Sequence, residues 1–154
     1  MKKTKLFAVV LVLMTLVSVL ASCTSERKPQ DADGFSKVME NNGFEVHDVS
    51  LGLDPTITSQ IFALKEEYQV EYYKFTDNEV CRETFDKIKE EMNDNNPVKT
   101  LSTDIDMDNY GYFDFNAGEN YFIMARVENT LIYCTANKDN RNDIIGIFKT
   151  LGYT

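Results

Sequence analysis

The chain has 154 residues, 16 of them basic and 25 acidic, for a formal net charge of −9. Three of the basic residues, Lys2, Lys3 and Lys5, sit at the extreme N-terminus; beyond them 13 basic residues face 25 acidic ones, a balance of −12. So acidic a body argues against nucleic-acid binding and against lying flat on anionic lipid. The one histidine and the absence of Cys-x-x-Cys or His-x-x-x-His spacing leave no zinc ligand set.

The three lysines are followed by an uncharged apolar run from Leu6 to Val19, and then by Leu20-Ala21-Ser22-Cys23. These are the positive, hydrophobic and small-residue regions of a secretory signal. The run is short for a membrane span, which needs ~20 apolar residues. Leu-Ala-Ser-Cys resembles the lipobox of bacterial lipoproteins. That resemblance covers residues 1–23 only. It implies a signal peptide over 1–22, a diacylglyceryl thioether on Cys23, and a mature protein held at the cell membrane, facing outside the cytoplasm. One acyl chain gives only marginal binding, whereas two hold stably. The rest of the chain resembles no family by its motifs.

Residues 23–33 read as the lipidated cysteine and a polar tether, because Thr24 to Asp33 has a proline and no apolar periodicity. A single domain is expected over 34–154. A short helix over 34–42, capped by Asp31 or Asp33, carries Phe35, Val38 and Met39 on one face and stops at Gly43. Alternation from Phe44 to Leu51 predicts a strand. Pro55 suits the first turn of a short helix bearing Ile57, Ile61, Phe62 and Leu64. Tyr68 to Phe75, rich in aromatic residues, predicts the next strand.

Thr76-x-x-Glu79 then reads as a capping box, opening a helix with Cys81, Phe85, Ile88 and Met92 on one face. Val98 to Asn109 reads as an acidic loop or a ragged edge. Strands at about 110–115, 120–127 and 130–136, turned at Asn116-Ala117-Gly118 and Glu128-Asn129, make a meander. A last helix, capped by Asp139 or Asn140, bears Ile144, Ile147, Phe148 and Leu151 and ends at Gly152. The first and last helices share one ending, apolar residues at matching offsets from a glycine that an aromatic residue follows. The expected fold is α+β: an antiparallel sheet of about five strands with amphipathic helices on one face.

Few residues carry candidate chemistry. Asp104, Asp106 and Asp108 have calcium-ligand spacing, but the twelfth position of such a loop is Phe115 and no acid closes it, so a solvated acidic loop is expected. With Phe113 and Phe115 facing the core, Tyr110, Tyr112 and Asp114 would form an exposed surface able to stack on a sugar or anchor a peptide. Cys81 and Cys134 are one possible disulfide in an exported domain. His47 and Cys81 are the residues an envelope hydrolase or inhibitor-like protein would use, yet no nucleophile-base arrangement is evident. No Gly-rich phosphate loop occurs and no cofactor is implied. The expectation is a non-catalytic, lipid-anchored domain that binds a protein, peptide or glycan at the cell envelope.

Overall fold

The computed structural model describes residues 27–52 and 54–154. The signal segment 1–22, Cys23 and the start of the tether lie outside the described residues. The domain is α+β. Its elements are α1 (Ala32–Asn41), β1 (Glu45–Asp48), β2 (Ile57–Leu64), β3 (Gln69–Phe75), α2 (Asn78–Asn95), β4 (Thr100–Met107), β5 (Tyr110–Ala117), β6 (Asn120–Val127), β7 (Thr130–Asn137), a 3-10 turn (Lys138–Asn140) and α3 (Arg141–Thr150).

Seven strands, two more than the five expected, form one antiparallel sheet in the order β1-β2-β3-β7-β6-β5-β4. Two meanders, β1–β3 and β4–β7, meet where β7 pairs with β3. The connection is α2. Its 18 residues span ~27 Å, which carries the chain from central β3 past four strand spacings, ~19 Å, to the far edge at β4.

The two added strands were hidden for different reasons. Residues 57–64, expected as a helix, form β2, whose Ile61 and Ala63 stand opposite Tyr72 and Val70 of β3. Pro55 belongs to the turn before it, where the Asp54 carboxylate accepts from the Thr56 amide at 2.9 Å and the Asp54 carbonyl accepts from the Ile57 amide at 2.9 Å. Asp first and Pro second is ordinary turn chemistry. Residues 100–107, expected as a loop or ragged edge, form a full edge strand, β4, almost wholly exposed. An edge strand dressed in charge lacks the apolar signal by which strands are found.

Helices cover both faces of the sheet, not one. On the front face α1 and α3 pack over Val70, Tyr72, Tyr121, Ile123, Ile132 and Cys134. On the back face α2 sets Cys81, Phe85 and Met92 against Phe75, Phe113, Phe115, Met124 and Leu131. Strand alternation makes this possible: successive residues of β5 and β6 are buried on opposite sides.

The helix ends repay attention to the sequence. Phe44 donates to the Met39 carbonyl at 3.1 Å, and Tyr153 to that of Phe148 at 2.9 Å. With Gly43 and Gly152 at φ 79° and 82°, both are Schellman stops, and the aromatic residue that follows is buried in each. The α2 start differs from expectation. Its cap is Asp77, which accepts from the Val80 amide at 3.0 Å. Thr76 instead donates its amide to Thr56 at 2.9 Å, sealing the end of the sheet. At α3, Asn140 occupies the N-cap position without a side-chain bond.

The expected tether is docked from Arg27 onward. The Arg27 guanidinium lies 3.8 Å above the Tyr110 ring, and the Gln30 carbonyl accepts from the Tyr72 hydroxyl at 2.8 Å.

Cys81 and Cys134, the possible bridge, are both free and buried. They belong to the back and front cores respectively. The sheet lies between them, so no rotamer change joins them. Alkylation of the unfolded, unreduced Cys23→Ser protein should therefore modify both thiols; protection of both until reductant is added would contradict this arrangement.

Candidate functional site

Two helices close the front face, but α2 alone serves the back. The strip over β2, β3 and β7 beside it stays open as a groove of about 470 Å³. Its floor is Ile57 of β2, Glu71, Tyr73 and Phe75 of β3, and Leu131 and Tyr133 of β7; Thr84 and Ile88 of α2 form the wall; Asp54 and Thr56 form the rim. The floor follows from alternation: Glu71, Tyr73 and Phe75 are every second residue of one strand. A volume of 300–1,000 Å³ with apolar lining and a few placed polar groups is the usual form of a ligand site. A depression of about 650 Å³ near Gly43, Glu45 and residues 64–67 is roomier, but no aromatic residue lines it.

Polar groups of the groove are positioned by one another. The Tyr73 hydroxyl donates to one Glu71 oxygen and the Gln69 side chain donates to the other at 2.8 Å. Tyr133 and Thr135 hydroxyls meet at 2.6 Å. The Tyr73 and Phe75 rings stack with centroids 6.4 Å apart. Burial and then the neighbouring Glu71 raise Tyr73 above the ordinary phenol range, and burial raises Tyr133. Both phenols are therefore neutral across physiological pH.

The surface expected at Tyr110, Tyr112 and Asp114 is not exposed. These residues share one side of β5, away from Phe113 and Phe115 as alternation requires, but that side is the front core: Tyr110 is 4% exposed, Tyr112 8% and Asp114 1%. The Tyr110 hydroxyl donates to the Tyr153 carbonyl at 3.0 Å. Asp114 accepts from the Tyr121 hydroxyl at 2.8 Å, an Arg141 nitrogen at 3.1 Å and the Thr103 amide at 3.1 Å. It ties β4, β6 and the start of α3 together. Burial, then the Asp114 charge, pushes the Tyr112 phenol up to about 12.

The aspartates with calcium spacing are drawn into ion pairs. Asp104 and Asp106 point to the back face, one on each turn of the pleat, and meet Lys89 at 2.7 Å and Arg82 at 3.3 Å. Asp108 lies 3.9 Å from Arg82. Asp106 also receives Arg126 at 3.1 Å. Arg126 is wholly buried and donates to the carbonyls of Met107 and Asp108, holding the β4–β5 turn. Room for it comes from Gly111: a Cβ there would lie 3.0 Å from the Arg126 side chain and 3.1 Å from Phe85. Among the described residues no group of acids, histidines and cysteines is arranged to hold a metal.

His47 sits on edge strand β1, half-exposed, 3.2 Å from Glu45. Cys81 is in the back core, where burial pushes its thiol up to about 12 against the pull of Arg126. A nucleophile needs the opposite shift, and the structure does not bring the two together.

Burial alone would raise the Asp106 carboxyl, but the Arg126 hydrogen bond and the Arg82 and Arg126 charges outweigh it and hold it below the ordinary range. Its contribution to stability is thus present above ~pH 4, the unfolded value, and is lost as pH falls through the lowered folded value. Arg126→Met should cost about 2 kcal/mol at pH 7 by removing its bonds to Asp106 and to the Met107 and Asp108 carbonyls, and less at pH 3. Urea unfolding at both values checks this; a cost unchanged at pH 3 would contradict the pairing.

No protein-family model and no curated protein matches this chain. Among solved structures, the crystal structure of a GTP binding regulator from Thermotoga maritima is similar to it, with a TM-score of 0.50 and 12% identity over 82% of this chain and 93% of that one. At that identity the likeness is one of fold alone.

Proposed function

We propose that this protein is a bacterial lipoprotein, held by a diacylglyceryl group on Cys23 at the outer side of the cell membrane, whose domain binds an envelope protein, peptide or glycan without catalysing a reaction on it. The observation that carries the binding reading is the back-face groove, an aromatic floor left open beside a single helix. The same aromatic-plus-carboxylate chemistry expected of Tyr110, Tyr112 and Asp114 is found instead in Tyr73, Tyr133 and Glu71.

The anchored reading rests on residues 1–23 and is supported by the docked leash. Only three residues separate Cys23 from Arg27, four Cα–Cα steps and at most ~14 Å of chain. Arg27 stacks on Tyr110 at the end of the sheet where Asn129 bonds Phe75 and Thr56 bonds Thr76. The Asp54–Thr56 rim of the groove lies at that same end, so the ligand would be met close to the membrane.

Two readouts in cells test the two halves separately. Fatty-acid labelling should be seen for the wild type and lost in Cys23→Ser, with the precursor left unprocessed. A photocrosslinking amino acid at position 88, in the groove wall, should give a discrete envelope adduct that the same group at position 119 does not. Equal labelling of Cys23→Ser would overturn the anchor; indistinguishable adducts from 88 and 119 would overturn the groove.

A further inference from the structure

We propose that the groove beside α2 takes a cationic peptide segment, one that sets a lysine or arginine next to an apolar side chain; this deepens the binding reading above and rests on it. Charge matching on the back face is the observation that points there. At the β4 end, Asp104, Asp106 and Asp108 each have a cation supplied by Lys89, Arg82 or Arg126. In the groove the two charged lining residues, Asp54 and Glu71, are both carboxylates, and no lysine or arginine lines it.

Neither acid has an ion-pair partner among the described residues. Among the described residues the Asp54 carboxylate accepts only from the amide and hydroxyl of Thr56. Glu71 accepts only from Gln69 and Tyr73. A carboxylate offers about four lone-pair sites, so each acid retains acceptor capacity for an incoming ammonium or guanidinium. Glu71 is half-buried on the sheet floor, where partial desolvation strengthens attraction for a cation over its value in bulk water.

The tyrosines extend the argument. Tyr73 and Tyr133 stay neutral, as shown above, and present ring surface within the same groove; a cation over such a ring gains a further electrostatic attraction. Ile57, Ile88, Leu131 and Phe75 offer apolar contact alongside. A bare metal ion would leave that surface unused, and an anionic sugar would meet two unmatched carboxylates. The long acidic excess of the chain, 25 acids against 13 bases beyond residue 5, would draw a basic segment in and repel an acidic one.

The probe is a fluorescein-labelled Leu-Lys-Leu-Lys-Leu peptide, with Leu-Gln-Leu-Gln-Leu as its neutral counterpart, titrated by anisotropy into the Cys23→Ser protein. The lysine peptide should bind at least about tenfold more tightly and weaken as salt rises. Glu71→Gln keeps the acceptor for Tyr73 and should reduce lysine-peptide affinity roughly tenfold, whereas Glu119→Gln, a surface acid remote from the groove, should leave it unchanged. Thr84→Tyr, which fills the groove from the helix side, should abolish binding of both peptides with little loss of melting temperature. Equal binding of the two peptides, lost in Thr84→Tyr, would overturn the cation preference and leave the groove standing. Equal losses from Glu71→Gln and Glu119→Gln would show diffuse charge attraction and overturn the assignment. Binding of both peptides that survives in Thr84→Tyr would overturn the groove itself.

Discussion

The sheet is apolar on both faces, and every other feature answers to that. The seven strands place Tyr72, Tyr121, Ile123 and Ile132 on one side and Phe75, Phe113, Phe115 and Leu131 on the other. Each side must be removed from water, since burial of apolar surface is worth ~25 cal/mol per Å². Three helices cannot divide evenly between two faces. Two serve the front, with matching glycine stops that fold Phe44 and Tyr153 back into the core. One long helix serves the back, because it must also carry the chain from the centre of the sheet to its far edge. The uncovered strip is the geometrical remainder of that division, and it is where the aromatic floor meets solvent.

Charge follows the same economy. The chain is strongly acidic, and four of its cations, Arg82, Lys89, Arg126 and Arg141, pair with carboxylates where α2 passes β4 and where Asp114 is buried. Arg126 and Asp114 are the costly groups, wholly buried: Arg126 donates three hydrogen bonds to the end of β4 and its turn, and Asp114 accepts three from β4, β6 and α3. A buried charge is tolerated only when so satisfied. Among the described residues Glu71 and Asp54 have no ion pair, as is true of most of the acids; what sets them apart is their place in a concave surface shared with Tyr73, Phe75 and Tyr133.

Much of this was legible in the residues, and the failures have common physical causes. Strands β3, β5, β6 and β7 announce themselves by alternating aromatic and β-branched residues. Both Schellman stops follow from glycine and the aromatic after it. Alternation even grouped Tyr110, Tyr112 and Asp114 correctly on one side of β5. What alternation cannot say is whether that side is covered, because one strand carries no information about where helices far along the chain will lie. This single uncertainty misplaced the ligand surface and left a Cys81–Cys134 bridge open. β4 was missed because its inward residues are aspartates whose matching cations, Arg82, Lys89 and Arg126, are distant in sequence. β2 was missed because Ile57, Ile61 and Leu64 fit a helix as well as a strand, and Pro55 tipped the reading. The groove had a signal in the Gln69-Glu71-Tyr73-Phe75 alternation, but its openness depends on the count of helices per face.

The most direct measurement is hydroxyl-radical footprinting of the folded protein, read by mass spectrometry at each tyrosine. Tyr73 and Tyr133 on the open back strip should oxidise readily, while Tyr72, Tyr110, Tyr112 and Tyr121 under α1 and α3 stay protected until the protein is unfolded. Oxidation of Tyr110 and Tyr112 at least as fast as Tyr73 and Tyr133 would contradict the two-faced core and the groove it leaves.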